Sequence, residues 1–503
     1  MHIVVFVDPA IVWRWHKWFI ERLQADGYRV DICLGGRARA LSGRLRLLLQ
    51  FEHLLYRSGE ENASDLMAIH HFSKTDIIDH RAASACDLMI DLAGETDLSS
   101  FRIRCFRPCY EGLASVHNLI ETLLDGRAPQ LALTDSAKPG LQPFGRCAIE
   151  QPELLHRGLN NVFSRMAGLL LKSVRGLKGN PTPPSLVALP AGSVEKPALA
   201  ASLKAERFLL GNLAAKITNR LNRLVRKGSG EAVRWGTGWR FTGGQPVRET
   251  NDLSLPDYVR LKDDGRRFFA DPFVKFHQGL YHVFVEEFPF DTQRGIISHF
   301  TIDEQGVSTA PREVLSRPYH LSYPFIFEHG GQFWMIPETS ANRAVELYRA
   351  ERFPDKWVLE KTLIDDIRAD DATLVHHEDR WWLFAAVSDW QSSQWDTLGL
   401  FYADDLFGEW SAHQANPVLL DPTAARPAGA MYHKNGALWR PAQDCSTLYG
   451  GGLSLCRVDR LDPQNFEQSV QHRLAPASSD ALLGLHTLNE DQGLEVIDFF
   501  GQL

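Results

Sequence analysis

"RRFFADPFVKFHQGLYHVFVEEF", residues 266–288, contains two apolar-rich runs folded about Gln278–Gly279. Alternating apolar and polar residues on either side of a two-residue turn signal a β-hairpin. Asp271 stands at the start of the first strand, and Glu286 and Glu287 stand at the end of the second. The two ends of a hairpin lie side by side, so the three carboxyls are neighbours.

The same pattern returns four times. Turns at Gly279, Gly331, Asp379, Gly436 and Gly493 are flanked by "DPFVKFHQGLYHVFVEE", "YPFIFEHGGQFWMIPET", "DATLVHHEDRWWLFAAV", "GAMYHKNGALWRPAQD" and "GLHTLNEDQGLEVIDFF", at intervals of 52, 48, 57 and 57 residues. After three of them a further strand, a loop and an aromatic-led strand follow, as in "VELYRAERFPDKWVLE". Four short strands repeated five times predict a five-bladed β-propeller over 259–503.

In a propeller the first strands line the central axis, so equivalent positions of different blades converge. Eight residues before each turn stand Asp271, Tyr323, Asp371, Ala428 and Leu485, the last followed by His486. Seven or eight residues after the turns stand Glu286/Glu287, Glu338/Thr339, Ala386/Val387, Gln443/Asp444 and Phe500/Gly501. Clustered carboxyls shift one another's proton affinity, which acid–base work on a glycosidic bond requires. Asp271, Glu338 and Asp371 are therefore the candidate catalytic residues. Glu287, Tyr323, Arg440, Gln443, Asp444 and His486 are candidate substrate contacts, with His320 and Glu286 beside them. Phe269, Tyr323, Trp334, Trp381, Trp382, Tyr432 and Trp439 are candidates for stacking on sugar rings. The structural alternative is that Asp271 caps backbone amides at a strand start. His376, His377 and His433 sit near hairpin tips that are not expected to converge, so no metal site is expected.

Residues 1–178 read differently. "HIVVFV", "RVDICL" and "CDLMIDLAG" alternate with helical "RWHKWFIERLQADGY" and "GRLRLLLQFEHLLYR", which predicts an α/β doubly wound domain with a parallel sheet. The turn after the first strand, "VDPAIVWRW", lacks G-x-G-x-x-G, so no dinucleotide cofactor, and no other cofactor, is expected. Residues 179–258 read as a Pro-rich linker followed by a basic amphipathic helix. The helix, at 202–227, would touch a membrane surface or pack between domains.

A net charge of −8 argues against nucleic acid as partner. Seven cysteines form no paired zinc motif and suggest free thiols in a reducing compartment. With no signal-peptide pattern at "MHIVVFVDP" and no apolar run of ~18 residues, the expected location is cytoplasmic.

The segments "FFADPF", "YPFIF", "MIPETS", "DATL", "WWLFA" and "RPAQDCSTLYGG" resemble the propeller domain of plant glucosamine inositolphosphorylceramide transferases and of bacterial surface-polysaccharide proteins. That domain is similar in architecture to five-bladed glycoside hydrolases whose "ADP" aspartate is the general base, and Asp271 matches it. The hydrolases' later acidic positions match imperfectly, with Tyr323, Glu338 and Asp371 in their place. Residues 1–178 resemble a degenerate formyltransferase fold through "YEGLASVHNLIETLLDGRAPQLAL". Where that family carries Asn-x-His, this chain reads "FRIRCFRP", and His117 and Asn118 fall later, on an expected helix. The resemblance thus implies a fold without formyl transfer.

Three functions follow as expectations. One is a carbohydrate-active enzyme of cell-surface polysaccharide or glycolipid assembly, with a glycan or sugar nucleotide as substrate. The second is a non-catalytic glycan-binding or scaffold protein. The third, a sugar-nucleotide N-formyltransferase, is opposed by the missing Asn and His.

Overall fold

The computed structural model describes residues 1–177 and 233–502, except 37–39, 57–61, 73–76, 95, 139, 254–257, 263, 391 and 477–481, together with Lys204 and Phe208. The described residues divide into two compact units. One falls within Met1–Asn222 with Asp389–Ser393, the other within Arg223–Ser388 and Gln394–Leu503.

The first unit is built on a seven-stranded sheet. His2–Val7 lies inside it, pairing in parallel with Arg29–Leu34 on one side and Leu88–Asp91 on the other. Ile77–Ile78 and Cys105–Tyr110 extend the parallel part, and Gln130–Asp135 and Leu141–Arg146 add two antiparallel strands. The unbroken apolar run of the first strand follows from this position, since a central parallel strand is covered on both faces. Four helices accompany the sheet: α1 (Arg14–Ala25), α2 (Gly43–Tyr56), α3 (Val116–Leu124) and α4 (Leu155–Arg175). The sheet is mixed rather than wholly parallel. Its last two strands are joined by residues 136–140 alone, too short for a crossover, so they pair antiparallel.

The second unit is a five-bladed propeller. Blades one to four begin with the hairpins Arg267–His277/Leu280–Pro289, Ser322–His329/Gln332–Glu338, Arg368–His377/Arg380–Ser388 and Tyr432–Lys434/Ala437–Asp444. The turns of blades one, two and four use positive φ at both central residues, as at Gln278–Gly279 and Asn435–Gly436, which matches the twist of the flanking strands, and the turn of blade three does so at Glu378. The fifth blade is assembled from both ends of the unit. Leu488–Asp491 pairs with Leu494–Gln502, and Leu494–Gln502 pairs along its length with Val233–Phe241. A strand from the segment expected to be linker and helix therefore belongs to the propeller. Backbone hydrogen bonds close the ring there and leave no open sheet edge at the seam. The expected basic helix at 202–227 lies outside the described residues, except Lys204 and Phe208.

Each of the first three blades breaks its first hairpin at the same place. The register shifts between Ala270 and Phe273, Ser322 and Phe325, and Asp370 and Thr373. The residue after each break is left-handed: Asp271 at φ 51, Tyr323 at φ 41 and Asp371 at φ 54. A non-glycine residue held there costs of order 1 kcal/mol and re-aims its side chain. These bulges turn the three side chains toward the axis.

Candidate functional site

Around the axis the bulge residues bond from blade to blade. Asp271 Oδ2 accepts the Tyr323 amide at 3.1 Å, and Asp271 Oδ1 accepts the Thr487 hydroxyl at 2.9 Å. The Tyr323 hydroxyl accepts the Gly429 amide at 2.6 Å and meets Thr373 Oγ1 at 2.8 Å. Asp371 receives Arg426 on both carboxylate oxygens, at 2.5 and 3.2 Å, and Gln443 Nε2 at 2.7 Å.

Above this ring opens a cavity of about 360 Å³, drawn from all five blades. Its acidic wall is Asp271, Glu286, Glu338 and Asp370, its basic groups are Arg426, His320 and His486, and its aromatic rim is Trp235, Phe268, Phe288, Trp395 and Tyr449. The size is that of a small-ligand site.

Glu286 is buried. His320 Nε2 lies 3.3 Å from its Oε1. The Gly295 amide donates to His320 Nδ1 at 2.9 Å, so the imidazole proton sits on Nε2 and faces Glu286. A Cβ on Gly295 would fall 2.6 Å from His320 Cε1 and 2.8 Å from Glu286 Oε1, so only glycine fits. Burial, reinforced by Asp271, Asp371 and Asp498, pushes the Glu286 carboxyl well above its ordinary value. Burial also lowers His320. Burial thus favours the uncharged form of both groups.

Glu338 accepts the Ser322 hydroxyl at 3.1 Å and lies 3.8 Å from Arg426 Nη2. Burial, with Asp370 and Asp371 adding to it, holds its carboxyl well above the usual range despite Arg426. Asp370 is pushed up to about 6 by burial, with Arg426 pulling the other way.

On the Asp271 side of the cavity burial again raises the carboxyl, but a histidine works against it. His486 Nδ1 pairs with Asp498 Oδ2 and lies 3.6 Å from Asp271 Oδ1. Asp498 also accepts the amides of Asp271, His486 and Thr487. Burial disfavours charge on His486, but Asp498 and Asp271 outweigh it and raise its proton affinity. The ring stacks on Trp235, with centroids 3.8 Å apart and planes at 15°. Burial raises the Asp271 carboxyl, while His486 pulls it down. Asp271, His486 and Asp498 hold their ligand atoms within 4.8 Å of one another. Hydrogen bonds within the protein already occupy them.

Of the residues expected in the mouth, Asp271, Glu286, Glu338, His320 and His486 line the cavity. The others lie elsewhere. Glu287 faces the opposite side of its strand from Glu286, where it accepts the Ser298 hydroxyl at 2.6 Å and pairs with Arg267. Tyr323 and Asp371 lie beneath the floor in the axial ring. Arg440 donates to the carbonyls of Ala424 and Ala425 at 2.7 Å, buried beneath blade four. Gln443 braces Asp371 and the Pro427 carbonyl. Asp444 pairs with Arg473 at 3.0 Å and caps Ser446. Among the expected stacking residues, Phe269, Tyr323, Trp334, Trp382 and Trp439 are buried in the cores, because side chains of central strands point between the sheets. The tips of blades three and four do approach, with the His377 and His433 rings stacked at 5.7 Å.

In the first unit, "FRIRCFRP" runs into Cys105–Tyr110, and Arg107 is buried there against Asp91 at 2.7 Å. His117 and Asn118 stand on α3, where Asn118 Nδ2 donates to the Tyr110 carbonyl at 2.8 Å. The cavity beside them holds only about 40 Å³, space for a few waters.

Fold and site together define a five-bladed propeller with a carboxyl-rich cavity on its axis. Residues 259–481 match the family described as glucosamine inositolphosphorylceramide transferase 1, N-terminal. Glucosamine inositolphosphorylceramide transferase 1 of Oryza sativa subsp. japonica is 33% identical over 205 residues, which is 40% of this chain and 27% of the relative. The Arabidopsis thaliana protein of the same name is 29% identical over the same shares. The matched stretch thus spans about a quarter of these relatives, 27% of their length. Among solved structures, a family 117 glycoside hydrolase of Zobellia galactanivorans matches 54% of this chain and 90% of its own at 11% identity and TM-score 0.35. The catalytic domain of a Coprinopsis cinerea alpha-L-arabinofuranosidase matches 48% and 93% at 13% identity and TM-score 0.35. Likeness at that level bears on no residue's role.

Proposed function

We propose that the propeller is carbohydrate-active and makes or breaks a glycosidic linkage in its axial cavity, in the assembly of a surface polysaccharide or glycolipid. The observation that carries this reading is the pairing of unlike carboxyls. Burial and neighbouring carboxyls favour the protonated form of Glu286, while at Asp271, also raised by burial, His486 pulls the other way. An acid and a base in one cavity of sugar-ring size are the two groups glycosidic chemistry requires. Glu286 gives its proton to the leaving oxygen, and Asp271 takes one from the incoming hydroxyl or water. Glu338 and Asp370 with Arg426 contact the sugar, and Trp235 and Trp395 flank its ring. The similarity of residues 259–481 to proteins named as glucosamine inositolphosphorylceramide transferases supports a glycan substrate. Four carboxyls line the cavity beside one arginine and two histidines, a set of hydrogen-bonding groups suited to the hydroxyls of a neutral or amino sugar.

One observation favours binding without turnover: both Asp271 oxygens are already hydrogen-bonded within the protein. The two readings separate when the purified chain is incubated with neutral oligosaccharides and glycolipids and products are followed by mass spectrometry. Turnover lost in Glu286→Gln supports catalysis. Saturable binding with no product from the wild type supports recognition alone. For the first unit we take a formyltransferase-like fold without formyl transfer, because "FRIRCFRP" holds neither Asn nor His and its Arg107 is ion-paired with Asp91 of the neighbouring strand.

A further inference from the structure

The connection "FDTQRG" of blade one, residues 290–295, stands between two cavities. Its Gly295 packs against His320 and Glu286 at the axial cavity. Its Phe290, Asp291, Thr292 and Arg294 line a second cleft of about 740 Å³. The end of the neighbouring hairpin divides the two by strand parity. Phe268 pairs with Phe288, and both line the axial cavity, whereas Arg267, Glu287 and Pro289 line the cleft.

The floor of the cleft is satisfied and its wall is not. Arg267 is held between Asp264 and Glu287, and Glu287 also accepts the Ser298 hydroxyl. Arg294 Nη1 donates to the Pro318 carbonyl at a long 3.3 Å, and its Nε is buried with no hydrogen-bond partner. A buried donor left unmet is costly, and a ligand oxygen would relieve it. Asp291 accepts the Thr292 amide and Glu313 the Ser316 hydroxyl, but among the described residues neither has a cationic partner, and Arg266 has no carboxylate. An aromatic ridge joins the two cavities. Phe288 stacks on Phe268 with centroids 5.0 Å apart and planes at 9°, and Phe268 meets Phe290 at 6.3 Å. Phe290 is 39% exposed at the cleft.

We propose that this cleft is a second sugar-binding site, which takes the next residues of a glycan chain whose end lies in the axial cavity. The inference rests on the axial cavity binding a glycan, and it makes an oligosaccharide chain, not a free monosaccharide, the ligand class. Guanidinium and carboxylate groups offer paired donors and paired acceptors to adjacent hydroxyls. The ridge Phe288–Phe268–Phe290 gives the sugar rings between the two cavities an apolar face. An anionic occupant is less well matched, because Arg266 and Arg294 are balanced by Asp291 and Glu313 on the same wall.

The test measures binding of the full chain to fluorescently labelled cello-, chitosan and manno-oligosaccharides of two to six residues, each with and without a terminal phosphate. The wild type binds six residues about tenfold or more tighter than two. Phe290→Ala/Arg294→Gln and, separately, Glu313→Gln lose that gain with chain length, whereas Trp235→Ala in the axial cavity weakens binding at every length. Melting temperatures of the variants verify that they remain folded. Equal affinity of the wild type for two and six residues would overturn the inference and leave the axial reading standing. So would a six-residue affinity that both cleft variants keep and Trp235→Ala loses. A gain conferred by the terminal phosphate and not by added sugars would overturn it as well, by naming an anion as occupant. No binding by the wild type at any length would overturn the axial reading and this inference together.

Discussion

The Nε2 of His320 lies 3.3 Å from Oε1 of Glu286, and the Gly295 amide at Nδ1 leaves the imidazole no other tautomer with which to face it. A neutral donor thus faces a carboxyl whose surroundings favour its protonated form. The relationship places the acid of the proposed reaction on the second strand of blade one, and the predictions start from it.

Glu286→Gln keeps the shape and removes the proton. On the account above it lowers kcat by about 100-fold or more while leaving substrate affinity within a few-fold. His320→Ala removes a donor that stabilises the ionised acid, so the alkaline limb of the pH–rate profile moves upward. Rates measured across pH on both variants check the pair.

Asp371 serves the site through Arg426. Asp371→Asn leaves a buried guanidinium without its bidentate partner, and a loss of about 3–5 kcal/mol in stability follows. Chemical denaturation measures it. A variant as stable as wild type would show that Arg426 does not depend on Asp371.

Asp370 carries a pH signature. Its folded-state value, raised from 3.8 to about 6, means that the folded protein binds more protons than the unfolded chain between those limits. Its contribution to stability is therefore present at low pH and lost as pH rises from about 4 to about 6. Asp370→Asn flattens the stability curve in that window, by at most about 3 kcal/mol.

An opposite slope comes from blade one. His282 and His299 pack at 3.0 Å, and burial lowers them to about 4 and about 3. The unfolded chain binds more protons there as pH falls below about 6.5, so the pair favours unfolding in acid. Replacing His299 by Gln reduces acid lability, read as the midpoint of acid denaturation.

The blades were legible in the sequence because a two-residue period about a tight turn, at glycine in four hairpins and at Asp379 in the third, survives in each, and five hairpins agree. What the period could not resolve was which of two adjacent residues faces the axis. Glu286 and Glu287 differ only by parity, and the bulge at Asp271 resets that parity within the partner strand. Glu286 pairs with Ala270, whose small side chain leaves room, whereas Glu287 pairs with Phe269. Asp370 was missed beside Asp371 for the same reason. Arg426 lies in a connection, "AARPAG", with no period to read. Trp235 was hidden because its strand is supplied from ahead of the first blade. A signal existed there, in the alternation of Val233, Trp235, Thr237, Trp239 and Phe241, but it adjoined a Pro-rich stretch and had no hairpin partner nearby.

The central claim, that the axial cavity performs acid–base chemistry on a glycan, is tested most directly by mass-spectrometric product analysis of wild type, Glu286→Gln and Asp271→Asn on one panel of neutral and amino-sugar glycans and glycolipids. The account predicts product from the wild type, none from either variant, and retained glycan binding by Glu286→Gln. Undiminished product from both variants would contradict it.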